Sequence, residues 1–199
     1  MPKVAALVSA YYSEQFLQHR ILNLFGQKKN VDVEIIVVCQ RGSKEHSIAA
    51  EYDVKRVLSE GIPTIGKAWN MAIEVAEGEY LTTANADDLF YIGGLLRMVE
   101  ILDANPDISL VFGECDKDKN GEVRRWKRSK GRASGKISDP AGMMLSGCYI
   151  GPMPLWRRCV HRESGLLFNE SMLVASDYGM WLRIAKLGMG FYYFNEAVG

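Results

Sequence analysis

Residues 33–38 read Val-Glu-Ile-Ile-Val-Val, an almost unbroken Val/Ile run. Such a strand has apolar side chains on both faces, so both faces must be covered, as they are in the middle of a parallel sheet. The flanking pattern agrees. Lys3 to Ala10 is a first compact apolar strand, followed by Ser13 as a candidate N-cap and a helix placing Leu17, Ile21, Leu24 and Phe25 on one face, with Gly26 as its expected end. Asp53 to Leu58 is a third, weaker strand. After Gly61-Ile62-Pro63, the residues Ile65, Ala68, Trp69, Ala72, Ile73 and Ala76 predict the clearest helix, with Gly78 as its stop. Glu79 to Ala84 is a fourth strand, which runs into Asn85-Ala86-Asp87-Asp88. A further helix carries Ile92, Leu95, Leu96, Val99 and Leu102 and breaks at Asn105-Pro106. Successive β-then-α units require right-handed crossovers, so the class is α/β: a mostly parallel central sheet with helices on both faces and a Rossmann-like, nucleotide-binding first half.

The second half is less regular. A strand is expected from Ile108 to Cys115, a hairpin turn at Asn120-Gly121, a return arm from Glu122 to Arg128, short helices over Pro154 to Glu163 and Asp177 to Leu187 with Gly188 as cap, and a last aromatic strand from Gly190 to Phe194. With 199 residues the chain is expected to form one domain, residues 1–104 as the nucleotide half and 105–199 as the acceptor-side half. The 24 basic and 24 acidic residues cancel, yet Lys117 to Lys136 holds nine basic residues against two acidic ones, leaving fifteen against twenty-two elsewhere. A solvated hairpin, a lid over a diphosphate, and a contact with a phospholipid-linked acceptor at a membrane surface all fit that stretch. Nucleic-acid binding is disfavoured, because the acidic remainder would repel a long polyanion. The opening apolar run is too short for a signal or spanning segment, which points to the cytoplasm, at the inner membrane face if the 117–136 stretch touches lipid. Cys39, Cys115, Cys148 and Cys159 have no metal or disulfide spacing and read as buried thiols, and His19, His46 and His161 as structural.

The chemistry concentrates at Asn85-Ala86-Asp87-Asp88, because open α/β sheets bind ligands in the crevice beyond the carboxyl ends of their strands. Two adjacent carboxylates there need a compensating cation or donors, and carboxylate oxygens suit Mg²⁺ or Mn²⁺. The same residues also suit a helix N-terminus, with Asp88 as the cap. No G-x-G-x-x-G, P-loop or G-x-S-x-G pattern is present, which disfavours a Rossmann dehydrogenase, a P-loop NTPase and a serine hydrolase.

The order strand, Tyr11-Tyr12, helix, strand, Gly66-x-x-x-Asn70, Gly78-Glu79-Tyr80, Asn-Ala-Asp-Asp resembles the family 2 glycosyltransferases of GT-A fold. The later segments Gly151-Pro152-Met153-Pro154-Leu155-Trp156, Phe168-Asn169-Glu170 and Ser176-Asp177-Tyr178-Gly179-Met180-Trp181-Leu182-Arg183 fit the same likeness, which spans nearly the whole chain. The resemblance implies an inverting transfer of sugar from a nucleotide diphosphate donor, a UDP-sugar by default, to a hydroxyl acceptor on a glycan or lipid-linked glycan, in polysaccharide or glycoconjugate synthesis. It implies Mn²⁺ or Mg²⁺ as cation. It makes Asp87 the metal-facing carboxylate with Asp88 beside it, in the metal site or as second-layer cap. Asn85 would contact the donor ribose or the same metal, Tyr11 would contact the nucleotide base or pack a loop, Asn70 would contact the donor or a neighbouring loop, and Asp177 would be the catalytic base or a cap of the helix beginning near Tyr178. Arg183 is open between a site role and solvent.

Four departures from the family pattern bear on these implications. Asn85 stands where an aspartate is usual, Cys39 to Ser43 lacks the usual base-binding acid with Glu45 the nearest, and Ser176 replaces a glutamate before Asp177. Many relatives also continue beyond the last aromatic strand, so acceptor binding is expected to be incomplete here or completed by another chain. Two rivals stand: a sugar-1-phosphate nucleotidyltransferase, whose glycine-rich basic signature Ser9 to Glu14 lacks, and a catalytically silent binding module on the same fold.

Overall fold

The computed structural model describes residues 3–126 and 132–199. The first half runs β1 (Val4–Ala10), α1 (Glu14–Gln27), β2 (Val33–Gln40), α2 (Lys44–Ala50), β3 (Lys55–Ser59), α3 (Ile65–Val75), β4 (Tyr80–Thr83) and α4 (Gly94–Ala104). The second half runs β5 (Ile108–Lys119), β6 (Glu122–Trp126), β7 (Gly135–Lys136), α5 (Pro140–Ser146), β8 (Leu155–Arg157), α6 (Cys159–Ser164), α7 (Ser176–Lys186) and β9 (Gly190–Ala197). The strands lie in the order β3-β2-β1-β4-β8-β5-β9-β7, with β6 paired to β5. The first four are parallel, β8 is antiparallel to both β4 and β5, and β9 is parallel to β5.

Alternation along β1 explains why the sheet is covered twice. Val4, Ala6, Val8 and Ala10 pack with Leu17, Ile21 and Leu24 of α1 and with Leu95, Met98 and Leu102 of α4. Ala5 and Leu7 face the other way, toward Ala68, Trp69 and Ala72 of α3 and Met180, Trp181 and Ile184 of α7. Strand order reverses at β1: the chain steps outward to β2 and β3, then returns to the other side of β1 as β4. That switch point opens a crevice between the carboxyl ends of β1 and β4.

Several sequence expectations need correction. Gly26 lies inside α1, which continues to Gln27. The helix expected over Pro154 to Glu163 is instead the strand β8 followed by the short α6. Here pairing to two neighbouring strands decides the conformation, and local propensity does not. Ile92 lies outside α4 and is 92% exposed, because Gly93 in the left-handed region (φ 81°) sets the helix start one residue later. The helix α2, the helix α5 and the strand β7 were not anticipated. Cys39 and Cys115 are buried as expected, whereas Cys148 is exposed and Cys159 is half-buried. The hairpin is as expected, with Asn120 (φ 58°) and Gly121 (φ 85°) both left-handed, the requirement of a type I′ turn. Of the basic stretch, Lys127, Arg128 and Lys130 lie outside the described residues. Among the described residues no helix is long and apolar enough to cross a membrane.

Beneath α7 lies an aromatic cluster in which the Trp156 indole N–H is matched, whereas that of Trp181 is buried without an acceptor. Trp156, Trp181 and Phe168 meet edge to face with centroids 5.0 to 6.2 Å apart. Trp156 Nε1 donates to His161 Nε2 at 2.9 Å, so that nitrogen carries no proton, and Nδ1 donates to the Leu166 carbonyl at 2.6 Å. Burial lowers the His161 pKa below its ordinary value. A depressed folded-state value means the unfolded chain binds the extra proton first. The stability His161 contributes is therefore complete above about pH 6.5 and lost as pH falls through the folded value. Urea unfolding of wild type and His161→Gln from pH 8 to pH 5 should show a steeper acid-side loss in the wild type. Parallel curves would mean that the imidazole is not held neutral.

Candidate active site

The end of β1 turns sharply. Tyr12 is left-handed (φ 54°) and 81% exposed, and Ser13 opens α1. The Ser13 backbone N–H, left over at the helix start, donates to Oε1 of the buried Glu45 at 2.8 Å. Tyr11 reaches across to β3, where its hydroxyl and Ser59 Oγ are 3.0 Å apart, and burial raises its pKa.

The end of β4 turns within four residues. Asp88 N donates to the Asn85 carbonyl at 3.2 Å, and Asn85 Nδ2 donates to Asp88 Oδ2 at 3.4 Å. Asp87 is exposed, whereas Asn85 and Asp88 are half-buried. Burial, then the charge of Asp87, pushes Asp88 up to about 6; Arg20 and the Asn85 amide oppose the rise. The two carboxylates are thus unlike, one facing outward and one held beneath the turn.

Two cavities meet at Asp87. One, of about 450 Å³, lies between the β1 and β4 ends and is walled by Tyr11, Tyr12, Phe16, Ile65 and Asn85. The other, of about 440 Å³, lies toward β5 and β6 and is walled by Asp88, Tyr91, Asp116, Asp118 and Met153. Asp87 lines both.

A divalent cation fits this corner. Asn85 Oδ1 is buried with no hydrogen-bond donor, an arrangement that costs free energy unless something else fills its lone pairs. The Asn85 residue lines the first cavity with the exposed Asp87. Two oxygen ligands with room for a phosphate is the arrangement in which Mg²⁺ or Mn²⁺ usually binds. Among the described residues no group of three or more His, Cys, Asp or Glu side chains could cage such an ion.

Of the two readings of Asn70, the structure shows the contact with a neighbouring loop. It is buried, and its amide is spent on the loop before α7: Nδ2 donates to the Phe168 carbonyl (2.9 Å) and to Glu170 Oε1 (3.0 Å), while Oδ1 accepts from Phe168 N (2.9 Å). It is therefore a clamp between α3 and the 168–170 loop. Arg183 has a similar role: its guanidinium donates to the carbonyls of Leu167 (2.6 Å) and Gly179 (3.2 Å).

Asp177 stands in the first turn of α7, half-buried, and is not the cap. The cap position is Ala175, left-handed at φ 57° with no side-chain capping bond. The α7 start is pressed against the α3 start, because a Cβ on Gly66 would lie 2.5 Å from Ser176 Oγ and 2.9 Å from the Asn169 carbonyl. Pro63 and Ile65, at the entry of α3, wall the first cavity.

Sequence reasoning missed Arg20 and Ser59, and named Glu45 only as the acid nearest to the loop after β2. For Arg20 a signal exists: it sits among Leu17, Ile21 and Leu24 on the apolar stripe of α1, where an arginine needs a reason. Glu45 and Ser59 reach the β1 end only through tertiary contact.

A doubly covered α/β sheet with a crevice at its switch point and an acidic turn on the rim is an architecture of GT-A type. The chain belongs to glycosyl transferase family 2, whose model matches residues 6–165. Among similar proteins are two named as uncharacterised glycosyltransferases. The Rickettsia felis one is 25% identical across 99% of this chain and 33% of its own length. The Haemophilus influenzae one is 25% identical across 94% of this chain and 61% of its own. The chain thus spans about a third of the Rickettsia relative. In structure it is similar to S. aureus TarS 1-349, solved in complex with UDP-GlcNAc (TM-score 0.80, 18% identity, 98% of this chain and 57% of that one). It is also similar to the mannosyltransferase PcManGT from Pyrobaculum calidifontis, solved with GDP-Man and Mn²⁺ (TM-score 0.66, 20% identity, 98% and 55%).

Proposed function

We propose that residues 1–199 form one catalytic unit that moves a sugar from a nucleoside diphosphate donor to a hydroxyl acceptor with inversion. The observation that carries this reading is the meeting of two cavities at the exposed carboxylate of Asp87, beside the unpartnered Asn85 Oδ1. In this reading the first cavity takes the nucleotide. Tyr11, held by Ser59, offers a ring to the base and Asn85 faces the ribose or the cation. The second cavity takes the sugar. Asp87 and Asn85 would hold Mn²⁺ or Mg²⁺, which as a Lewis acid stabilises negative charge on a departing diphosphate. Asp88 anchors the turn from below. Asp177, which lines neither cavity, takes the acceptor hydroxyl proton as that oxygen attacks the anomeric carbon; the assignment follows the family resemblance, and the α7 start that carries Asp177 packs against α3, whose entry walls the first cavity.

That TarS binds UDP-GlcNAc and PcManGT binds GDP-Man with Mn²⁺ supports the donor class and the ion. UDP is the first probe by default; Cys39 to Ser43 offers no acid to select a base, and one oxygen of Glu45 is committed to Ser13. In the basic arm Arg125 pairs with Asp116 and Arg124 with Glu122 at 2.7 Å, so part of its charge is already matched. A glycan or lipid-linked acceptor, and a place at the inner membrane face, belong to the same proposal.

The test is a thermal-shift and donor-hydrolysis panel of UDP- and GDP-sugars with Mn²⁺, Mg²⁺ or chelator. At least one nucleotide should raise the melting temperature in a metal-dependent way and be slowly hydrolysed. Stabilisation without any turnover would favour a silent binding module, and no stabilisation under any condition would refute the proposal.

A further inference from the structure

The turn that closes β1 takes a left-handed residue, and the residue that supplies it is Tyr12, at φ 54°. That region is open to glycine and tolerated by asparagine or aspartate, whereas a bulky side chain there carries backbone strain. The turn explains the conformation and leaves the choice of a tyrosine unexplained. Packing does not explain it either. Tyr12 precedes the N-cap Ser13, where an apolar side chain commonly staples the helix start by packing on the residue at Leu17. Leu17 is fully buried, yet Tyr12 is 81% exposed, so the ring is not used as a staple. Tyr12 therefore combines a strained backbone with a large ring left in water, and the fold recovers neither cost. Strain of this kind persists where a function uses it.

The cavity shows what that use is. Tyr12 lines the first cavity together with Tyr11, Phe16 and Ile65, and Phe16 is also exposed. Tyr11 is the fixed member of this wall, with its hydroxyl 3.0 Å from Ser59 Oγ and its side chain packed on the core of the α3 side. Asn85 and Asp87 line the same cavity. Aromatic rings and oxygen ligands for a cation in one cavity match the two parts of a nucleoside diphosphate, a flat base and an anionic diphosphate.

We propose that Tyr12 is a nucleobase-stacking residue, a second ring for the donor beside Tyr11, displayed in a strained conformation that ligand binding repays. The inference rests on the proposed function, which puts the nucleotide in this cavity. It concerns the ring alone, since any base offers a π-face to stack on.

Opposite effects on stability and on binding are its signature. Wild type, Tyr12→Phe, Tyr12→Leu and Tyr12→Asn would be melted in chelator without nucleotide, and titrated calorimetrically with UDP and with GDP in the presence of Mn²⁺. Affinity is scored on whichever of the two the wild type binds more tightly. Tyr12→Asn relieves the left-handed backbone and should melt about 2–4 °C above wild type. The same variant should bind the nucleotide about 5- to 150-fold more weakly, the range that one stacked base contributes. Tyr12→Phe keeps the ring and should stay within about threefold of wild type, whereas Tyr12→Leu keeps apolar bulk without a π-face and should lose affinity as Tyr12→Asn does. A Tyr12→Asn protein that melts at or below the wild-type temperature would overturn the inference, because the fold would then account for the tyrosine. Undiminished affinity in Tyr12→Asn, a Phe variant as weak as the Asn variant, or a Leu variant as tight as the Phe variant would overturn it too. All of these leave the proposed function standing, because the wild type still binds its nucleotide. A wild type that binds neither UDP nor GDP refutes the proposed function and this inference with it.

Discussion

Asp87→Ala is expected to remove metal-supported donor binding and to reduce kcat/KM for transfer by roughly 10²–10³-fold, while the protein stays folded. The size follows from the several kcal/mol that a Lewis acid contributes at a developing charge, with about 1.4 kcal/mol per tenfold in rate. Stability should hold because Asp87 is exposed and its charge acts against its neighbour: it is one of the causes that push Asp88 up to about 6. Calorimetric titration of UDP with Mn²⁺ and with chelator, beside steady-state kinetics, checks both parts. A variant that retains metal-dependent UDP binding would show that Asp87 is not the carboxylate facing the cation.

Asp177→Asn should separate binding from chemistry. A general base contributes about 10²–10⁴-fold, so kcat should fall by that factor with the donor dissociation constant unchanged. The competing role is interaction with the positive end of α7. Since Asp177 lies within the first turn and not at the cap, that role amounts to about 0.3–1 kcal/mol of stability, and the isosteric amide would show it as a small drop in melting temperature with intact turnover. Loss of donor binding in this variant would place Asp177 on the nucleotide side and contradict the assignment of base.

The readable parts of the fold were those whose pattern is local. Alternation and β-branched runs located β1, β2 and β4, the stripe from Ile65 to Ala76 located α3, and Asn-Gly located the hairpin. β8 was misread because Leu155-Trp156-Arg157 is a strand only by virtue of the neighbours waiting on either side of it. The acidic turn was legible by position, being the segment after a buried strand. Asn70 stayed open between donor and loop because helical periodicity tells which way a side chain leaves its own helix, not which loop comes back to meet it. Its partners lie 98 and 100 residues further along the chain.

From residue types and their order alone, then, came the layered α/β design, the family likeness and the rim of the sheet as the place for a ligand, since each depends on neighbours within one or two turns. Three-dimensional packing was needed to make Asp87 and Asp88 unlike, to bring Arg20 of α1 to the Ala84 carbonyl ahead of them, and to bring the α7 start against α3. Such effects arise from burial and from charges far apart in sequence. Electrostatic interaction acts through space, so no spacing along the chain encodes it.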